Sequence, residues 1–487
     1  MTLVDVLPLL MFVALAALLF SGFPVAFVLG GVGLAFATIA IFIDPWLFDW
    51  PQFYAIPARI YGAIAENMIL TAIPMFVLMG TMLERSGVAR DLLNCLQVLM
   101  RGVPGGLALS VVLMGTILAA TTGIIGASVV MMTLLAMPVM KRQGYSSALA
   151  SGTIAASGTL GILIPPSIML IIMADLLSRS VGTLFVAAVI PGFMLAILYM
   201  IYVVVVSWLK PDLAPPLDAD VGPKTRGALV AMLLRSFVPP IILVLLVLGS
   251  ILGGLATPTE AASVGAFGAV LLAFVNLVLL PYFHVTEIRM EGQAALEDEA
   301  LRETETLLGR FWRILNDVVL RSALTNAMIF AIFIGATLFS YVFRQIGGEE
   351  VVIHLFDNLG LGPWGILFAL MGLVFVLGFF FDWIEITLIV LPVFAPIING
   401  LDFGAHVPQA EVTYWFATLM AINLQTSFLT PPFGFALFYL KAVAPPEVAI
   451  KDIYLGIIPF VLLQLVGLAF VLAFPQLVLW LPKLLLD

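Results

Sequence analysis

Two short stretches carry the groups able to do chemistry at membrane depth: SGTLGILIPPS over residues 157–167 and NLQTSFLTPPF over residues 423–433. Each interrupts an apolar run with hydroxyl and carboxamide side chains and a proline pair. Hydrocarbon offers no partner to a freed backbone group, so non-helical backbone survives there only when buried in protein or lining a watery cavity. A broken helix exposes carbonyl oxygens beside Ser, Thr and Asn oxygens. That donor set suits a hard cation, and helix N-termini beside the breaks favour an anion. Ser157 lies eight residues before Pro165, and Asn423 lies eight before Pro431, the first sign of an internal duplication. Pro165, Pro166, Pro431 and Pro432 have a structural alternative as plain kinks, which two matched pairs weigh against. Ser128, Thr133 and Thr153 equally suit bonds back to the preceding turn or between helices.

The elements that position these stretches must be membrane helices. The chain is 63% hydrophobic and 10% charged over 487 residues, whereas a soluble chain carries roughly 25% charged residues. With about 20 apolar residues needed per crossing, full crossings are expected near 3–20, 24–43, 67–83, 147–175, 183–208, 237–256, 259–283, 323–343, 412–443 and 453–474. The first run lacks a basic flank and a small-residue cleavage site, so it reads as a membrane helix and not a signal peptide. Residues 104–140 and 361–400 are apolar but interrupted, the first by Thr121, Thr122, Gly123 and Gly126, the second by Asp382 and Glu385. Both read as re-entrant hairpins.

Charge distribution favours that reading. With the N-terminus outside and both hairpins returning to their own side, sixteen of the twenty Lys and Arg fall inside, leaving Arg59, Arg179, Arg344 and Lys483 outside. The result is two sets of five crossings plus one hairpin, and five being odd, the second set is inverted. SGVARDLLNCL before Pro104 parallels GGEEVVIHLFDNL before Pro363. The expected architecture is an all-α polytopic membrane protein with about ten crossings. Its first inverted repeat is over 1–209, a cytoplasmic connector over 210–236 and the second repeat over 237–487. Residues 210–235 and 284–313 read as solvated linkers. Residues 87–100 and the stretch around Phe311, Trp312, Leu315, Val318 and Val319 read as helices lying in the interface.

An acid at the bilayer centre costs at least about 2.5 kcal/mol, which singles out Asp382 as a cation ligand or gating contact and, less sharply, Glu385. Glu66, Asp175 and Glu260 fit helix ends, and Asn276 fits an interhelical hydrogen bond. One cysteine and three scattered histidines supply neither a metal cluster nor a nucleophile with its base. A phosphate-binding glycine loop with its lysine is absent too. These features argue against an enzyme or an ATP-driven pump and for a gradient-driven transporter.

GTIAASGTLGILIPPSI, GGLATPTEAASVGA and LTPPFGF resemble the large membrane subunit of tripartite ATP-independent periplasmic (TRAP) transporters, and the resemblance spans essentially the whole chain. It implies an elevator-type carrier of the ion transporter superfamily in a bacterial inner membrane. It further implies sodium as the coupling ion, no organic cofactor, a separate small four-helix membrane subunit and a periplasmic solute-binding protein that delivers an organic anion, with no nucleic-acid partner. Carried over by position, Thr121, Thr122, Gly123 and Ser128 at the first hairpin tip face Ser157, Gly158 and Thr159 as one sodium site. Asp382 at the second tip faces Asn423, Gln425, Thr426 and Thr430 as another. Members of the family often carry Ser-Gly-Ser at the first tip; this chain has TTGIIGAS, which shifts coordination there toward backbone carbonyls. A stand-alone ion-coupled anion carrier of similar architecture is the alternative.

Overall fold

The computed structural model describes residues 3–122, 125–217, 222, 225–282, 306–358, 360–432 and 434–486. Every described element is helical. Among the described residues, nine helices are long and apolar enough to cross a bilayer by length and composition.

The first half runs α1 (Leu3–Phe20), α2 (Val25–Ile43), α3 (Ala72–Arg85), α4 (Val88–Leu99), α5 (Gly106–Thr122), α6 (Ile125–Arg142), α7 (Ser147–Thr159), α8 (Ile168–Leu176) and α9 (Val181–Leu209). Two short helical turns, Trp50–Tyr54 and Ile56–Ile60, lie between α2 and α3. Next come α10 (Arg226–Ser236), α11 (Val238–Leu252) and α12 (Pro258–Phe274). The second half continues with α13 (Leu307–Gln345), α14 (Gly348–Asn358), α15 (Pro363–Leu377), α16 (Trp383–Gly400), α17 (Val412–Leu429), α18 (Phe435–Val443), α19 (Ile450–Ala473) and α20 (Gln476–Leu486). The turns into α4 and α14 are alike, each made by a glycine at φ 81°, Gly87 and Gly347. TPTEAA opens α12 as a capping box: Thr257 accepts from the Glu260 N–H, and the Glu260 carboxylate accepts from the Thr257 N–H at 2.8 Å.

Two groups of helices pack within themselves. In one, α2 lies along α13 and α12 along α3. In the other, α7 lies along α19 and α17 along α9, with the two apolar interrupted segments packed beside them. Helices α7 and α19 approach closely: a side chain on Gly456 would overlap the Ala148 carbonyl and one on Gly152 would overlap the Gly456 carbonyl.

Both interrupted segments return to the side they entered from. The Leu107 N–H at the start of α5 donates to the Tyr145 hydroxyl just beyond α6, at 3.3 Å. In the second, the Trp364 ring at the start of α15 meets Phe403 just beyond α16, with ring centroids 5.1 Å apart. The helical ends also behave as expected: Asn276 donates to the Ser86 carbonyl across helices at 2.9 Å, and Asp175 ends α8 as acceptor from Asn67 at 2.7 Å.

Two expectations need correction. The amphipathic stretch near Phe311 is no separate interfacial helix, because α13 runs unbroken for 39 residues, about 58 Å at 1.5 Å per residue. No Pro or Gly separates the stretch from the following span, and the buried stripe of Phe311, Ile314 and Val318 continues into Ile329, Ile332 and Phe333. Nor does α4 lie with a polar face in water: Arg90, Asp91, Asn94 and Gln97 are all buried. The cover is α10, which lies inside the stretch read as a solvated linker and brings Arg235 to Asp91 at 3.7 Å. Most of the second linker, residues 283–305, lies outside the described residues.

Candidate functional site

Each proline pair ends a helix. α7 stops at Thr159, a single 3-10 turn follows at Leu160–Ile162, and α8 starts only at Ile168. Pro166 has no N–H to give the Ile162 carbonyl; the Ser167 hydroxyl donates to it instead, at 2.6 Å. α17 stops at Leu429, and α18 starts at Phe435 beyond Pro431 and Pro432. Both Pro–Pro bonds are cis.

The hydroxyls before the breaks are arranged alike. Ser157 donates to the Thr153 carbonyl at 2.6 Å, Thr426 to Ile422 at 2.8 Å and Thr430 to Thr426 at 2.8 Å. Thr159 donates to Ala156 at 2.9 Å. With each proton committed to its own helix, the oxygen presents only lone pairs outward, which is the polarity a cation requires.

The first hairpin seats both arms on α7. Gly115 of α5 abuts Ser157, and Val129 of α6, next to the buried Ser128, abuts Gly158. Ser157 and Gly158 thereby face the two arms of the hairpin. Thr121 and Thr122 form the end of α5, while Gly123 lies outside the described residues.

The second hairpin is tied to α17 by hydrogen bonds. Asn423 Nδ2 donates to the Met371 carbonyl at 2.8 Å, and one turn on the Ser427 hydroxyl donates to the Phe375 carbonyl. Phe375 belongs to the last turn of α15, where carbonyls lack helical partners, so Ser427 caps that helix. The tip, at Gly378, rests on Ser427. Asp382 opens α16 as its N-cap, accepting from the Trp383 N–H at 2.7 Å, and Glu385 closes a capping box by accepting from the Asp382 N–H at 3.2 Å. The two intramembrane acids thus spend acceptor oxygens on the N-terminus of α16. They also come within electrostatic reach of Tyr439 on α18, whose ring packs on Gly126 at the start of α6.

Gln425 points away from the second hairpin. Its amide donates to Thr159 Oγ1 at 3.2 Å and reaches the Tyr199 hydroxyl at 3.4 Å. Residues assigned to two separate sites are therefore bonded to each other, and the bond joins α7 to α17. Gln464 lies beside Tyr199, and all four side chains are buried. Asn423 stays with the second hairpin, Thr426 and Thr430 bond back within their own helix, and Thr159 and Gln425 meet between the breaks. Sequence reasoning missed Ser427, Tyr199, Gln464 and Tyr439. Only Ser427, inside the second polar stretch, carried a local signal.

The capping geometry makes a prediction about Asp382. Asp382→Ser, which keeps an N-cap acceptor, is expected to retain several-fold more transport activity than Asp382→Ala, the cap being worth about 1 kcal/mol. Equal loss in both variants, with equal thermal stability, would assign the role to the carboxylate charge instead.

Residues 12–477 match the model of the tripartite ATP-independent periplasmic transporter, DctM component. The chain is 30% identical to the C4-dicarboxylate TRAP transporter large permease protein DctM of Pseudomonas aeruginosa, covering 86% of this chain and 87% of that one. It is 28% identical to the ectoine TRAP transporter large permease protein TeaC of Halomonas elongata, over 85% and 86%. The Alcanivorax borkumensis YdaH transporter, whose crystal structure reveals an unusual topology, shares the fold at a TM-score of 0.55 and 13% identity, over 88% of each chain. The chain therefore belongs to the DctM component family of tripartite ATP-independent periplasmic transporters, as a multi-pass permease of the bacterial inner membrane and not an enzyme.

Proposed function

We propose that this permease carries out sodium-coupled secondary active uptake of an organic anion, a carboxylate. A periplasmic solute-binding protein delivers the solute, and a small four-helix membrane subunit stands beside this chain as a separate polypeptide. In this reading residues 1–209 and 237–487 are inverted repeats joined by the connector 210–236. The paired contacts of α2 with α13 and α3 with α12, and of α7 with α19 and α9 with α17, support it.

The observation that carries the proposal is the bond from Gln425 to Thr159. It brings two broken helices together with a hairpin seated on each, so two oxygen-rich breaks share one centre. Sodium at the first site is held by the tip residues Thr121, Thr122 and Gly123 with Ser128, Ser157, Gly158 and Thr159. At the second it is held near Asn423, Thr426 and Thr430, with Gln425 behind them and Asp382 shaping the tip. Bound sodium supplies positive charge beside helix N-termini that already favour an anion. The group containing α7, α17 and both hairpins then slides past the group built on α2, α3, α12 and α13. Relatives named for C4-dicarboxylate and for ectoine leave the solute to be set by the receptor.

Proteoliposomes holding this chain with its small subunit provide the test. Uptake of receptor-loaded C4-dicarboxylate or sugar acid is expected to require an inward sodium gradient. Equal uptake with potassium in place of sodium would refute the coupling, and full uptake of free solute without receptor would establish the stand-alone carrier.

A further inference from the structure

A cavity of about 490 Å3 opens between the two helix groups, lined by Arg59, Ser340, Tyr341 and Arg344 on one side and by Leu176, Leu388 and Pro392 on the other. Two polar contacts bridge the groups beside it. Arg344 at the end of α13 donates through Nη2 to the Pro392 carbonyl of α16 at 2.7 Å. Asn67, ahead of α3, donates to Asp175 of α8, next to the cavity-lining Leu176, at 2.7 Å.

The first contact has a cause in the sequence. A proline four residues on cannot donate to a helical carbonyl, so Pro396 leaves the Pro392 oxygen without its helical partner. Membrane helices with interior prolines re-satisfy such carbonyls from neighbours, and the neighbour here is a guanidinium from the other group. Arg344 is aimed by Glu349, whose carboxylate lies 3.2 Å from Nε. The base it stands on is braced as well: Tyr341 donates to the Gln52 carbonyl at 3.2 Å, Gln52 donates to Gln345 at 3.1 Å, and Arg59 lies 5.5 Å over the Tyr341 ring. Charge distribution places Arg59, Arg344 and the start of α3 on the outer side.

We infer that Arg344–Pro392 and Asn67–Asp175 form an outer latch between the fixed and sliding groups, which holds this arrangement and must open once in each transport cycle. The inference rests on the sliding motion proposed above. Arg344 acts here as a positioning residue: it sets the ratio of the two arrangements without touching solute or cation.

Distances between spin labels test it in the full chain. In a Cys95→Ala background, labels at Tyr54→Cys on the fixed group and Ala410→Cys on the sliding group are read by pulsed electron resonance in nanodiscs, with and without sodium. Wild type is expected to show two distances whose ratio responds to sodium. Arg344→Gln should shift that ratio away from the latched distance by about threefold to tenfold, with Arg344→Lys near wild type. Pro396→Ala restores a helical N–H to the Pro392 carbonyl and should shift the ratio in the same direction without removing a charge. A sodium-responsive wild type whose ratio is unmoved in both Arg344→Gln and Pro396→Ala overturns the latch and leaves the sliding motion standing. A single sodium-insensitive distance in every variant overturns the sliding motion and takes the latch with it.

Discussion

Asn423→Ala is expected to lower the initial rate of uptake under the proposed sodium drive by at least about tenfold at fixed sodium. The Asn423 carboxamide has two ends with two tasks. Its Nδ2 donates to the Met371 carbonyl at 2.8 Å, fixing the second hairpin against α17, and its oxygen is left for the proposed cation. Removing a buried hydrogen bond costs about 1 kcal/mol net, and the lost ligand adds to that; each 1.4 kcal/mol is tenfold. Asn423→Asp separates the tasks. The carboxylate is nearly isosteric and a better cation ligand, yet it cannot donate, and it sets an acceptor against the Met371 oxygen. If hairpin seating dominates, Asp is as damaging as Ala, and the sodium concentration for half-maximal rate rises in both. Wild-type sodium dependence in both variants would remove Asn423 from the site.

The second large effect is on stability. Gly456→Leu should lose the folded protein, seen as loss of a monodisperse species in detergent and a fall of about 3 kcal/mol or more, the upper end of overpacking costs. At this position the atoms that a side chain would strike are the backbone of Ala148, which no rotamer change can move aside. Gly152→Leu on the facing helix should behave alike, because its side chain would strike the Gly456 carbonyl and the Phe460 ring. Gly249→Leu is the control, since nothing lies within 4 Å of the added carbon. Equal stability of Gly456→Leu and Gly249→Leu would show that α7 and α19 do not pack this closely in the bilayer.

Both effects come from the helix group around the breaks, where Asn423 and the Gln425 amide nitrogen are buried and bonded. The first is a hydrogen bond between hairpin and broken helix, the second a backbone contact that makes α7 and α19 one body. The sliding motion proposed above needs that internal rigidity. Across the boundary with the other group lie the two latch contacts, one of which Pro396 makes available.

The broken helices were legible because a Pro–Pro pair in an apolar run is a local signal: it removes backbone donors wherever the chain goes. The hairpins were legible from charge, since Lys and Arg count sides of a membrane without reference to packing. Asn276, Glu260 and Asp175 were legible as helix-end or interhelical groups from their place relative to the apolar runs. Interfacial amphipathicity was misleading on α4. A helix with polar residues along one face looks the same whether water or another helix covers that face, and here α10 does, with Arg235 meeting Asp91. The limits of α13 were misjudged for a related reason, because composition changes near residue 322 while the backbone continues.

By itself, then, the order of residues determined the class, the two breaks and the oxygen-rich donor set, all properties of neighbouring residues and their hydropathy. Tertiary structure alone decided which way each donor points. Gln425 and Asn423 are two positions apart on α17 and so face nearly opposite sides of it, one toward Thr159 and Tyr199, the other toward the second hairpin. Their partners are 266, 226 and 52 residues distant in the chain. The Arg344 contact likewise depends on a carbonyl 48 residues away. Local periodicity says which face of a helix is apolar; only the packed arrangement says what that face meets.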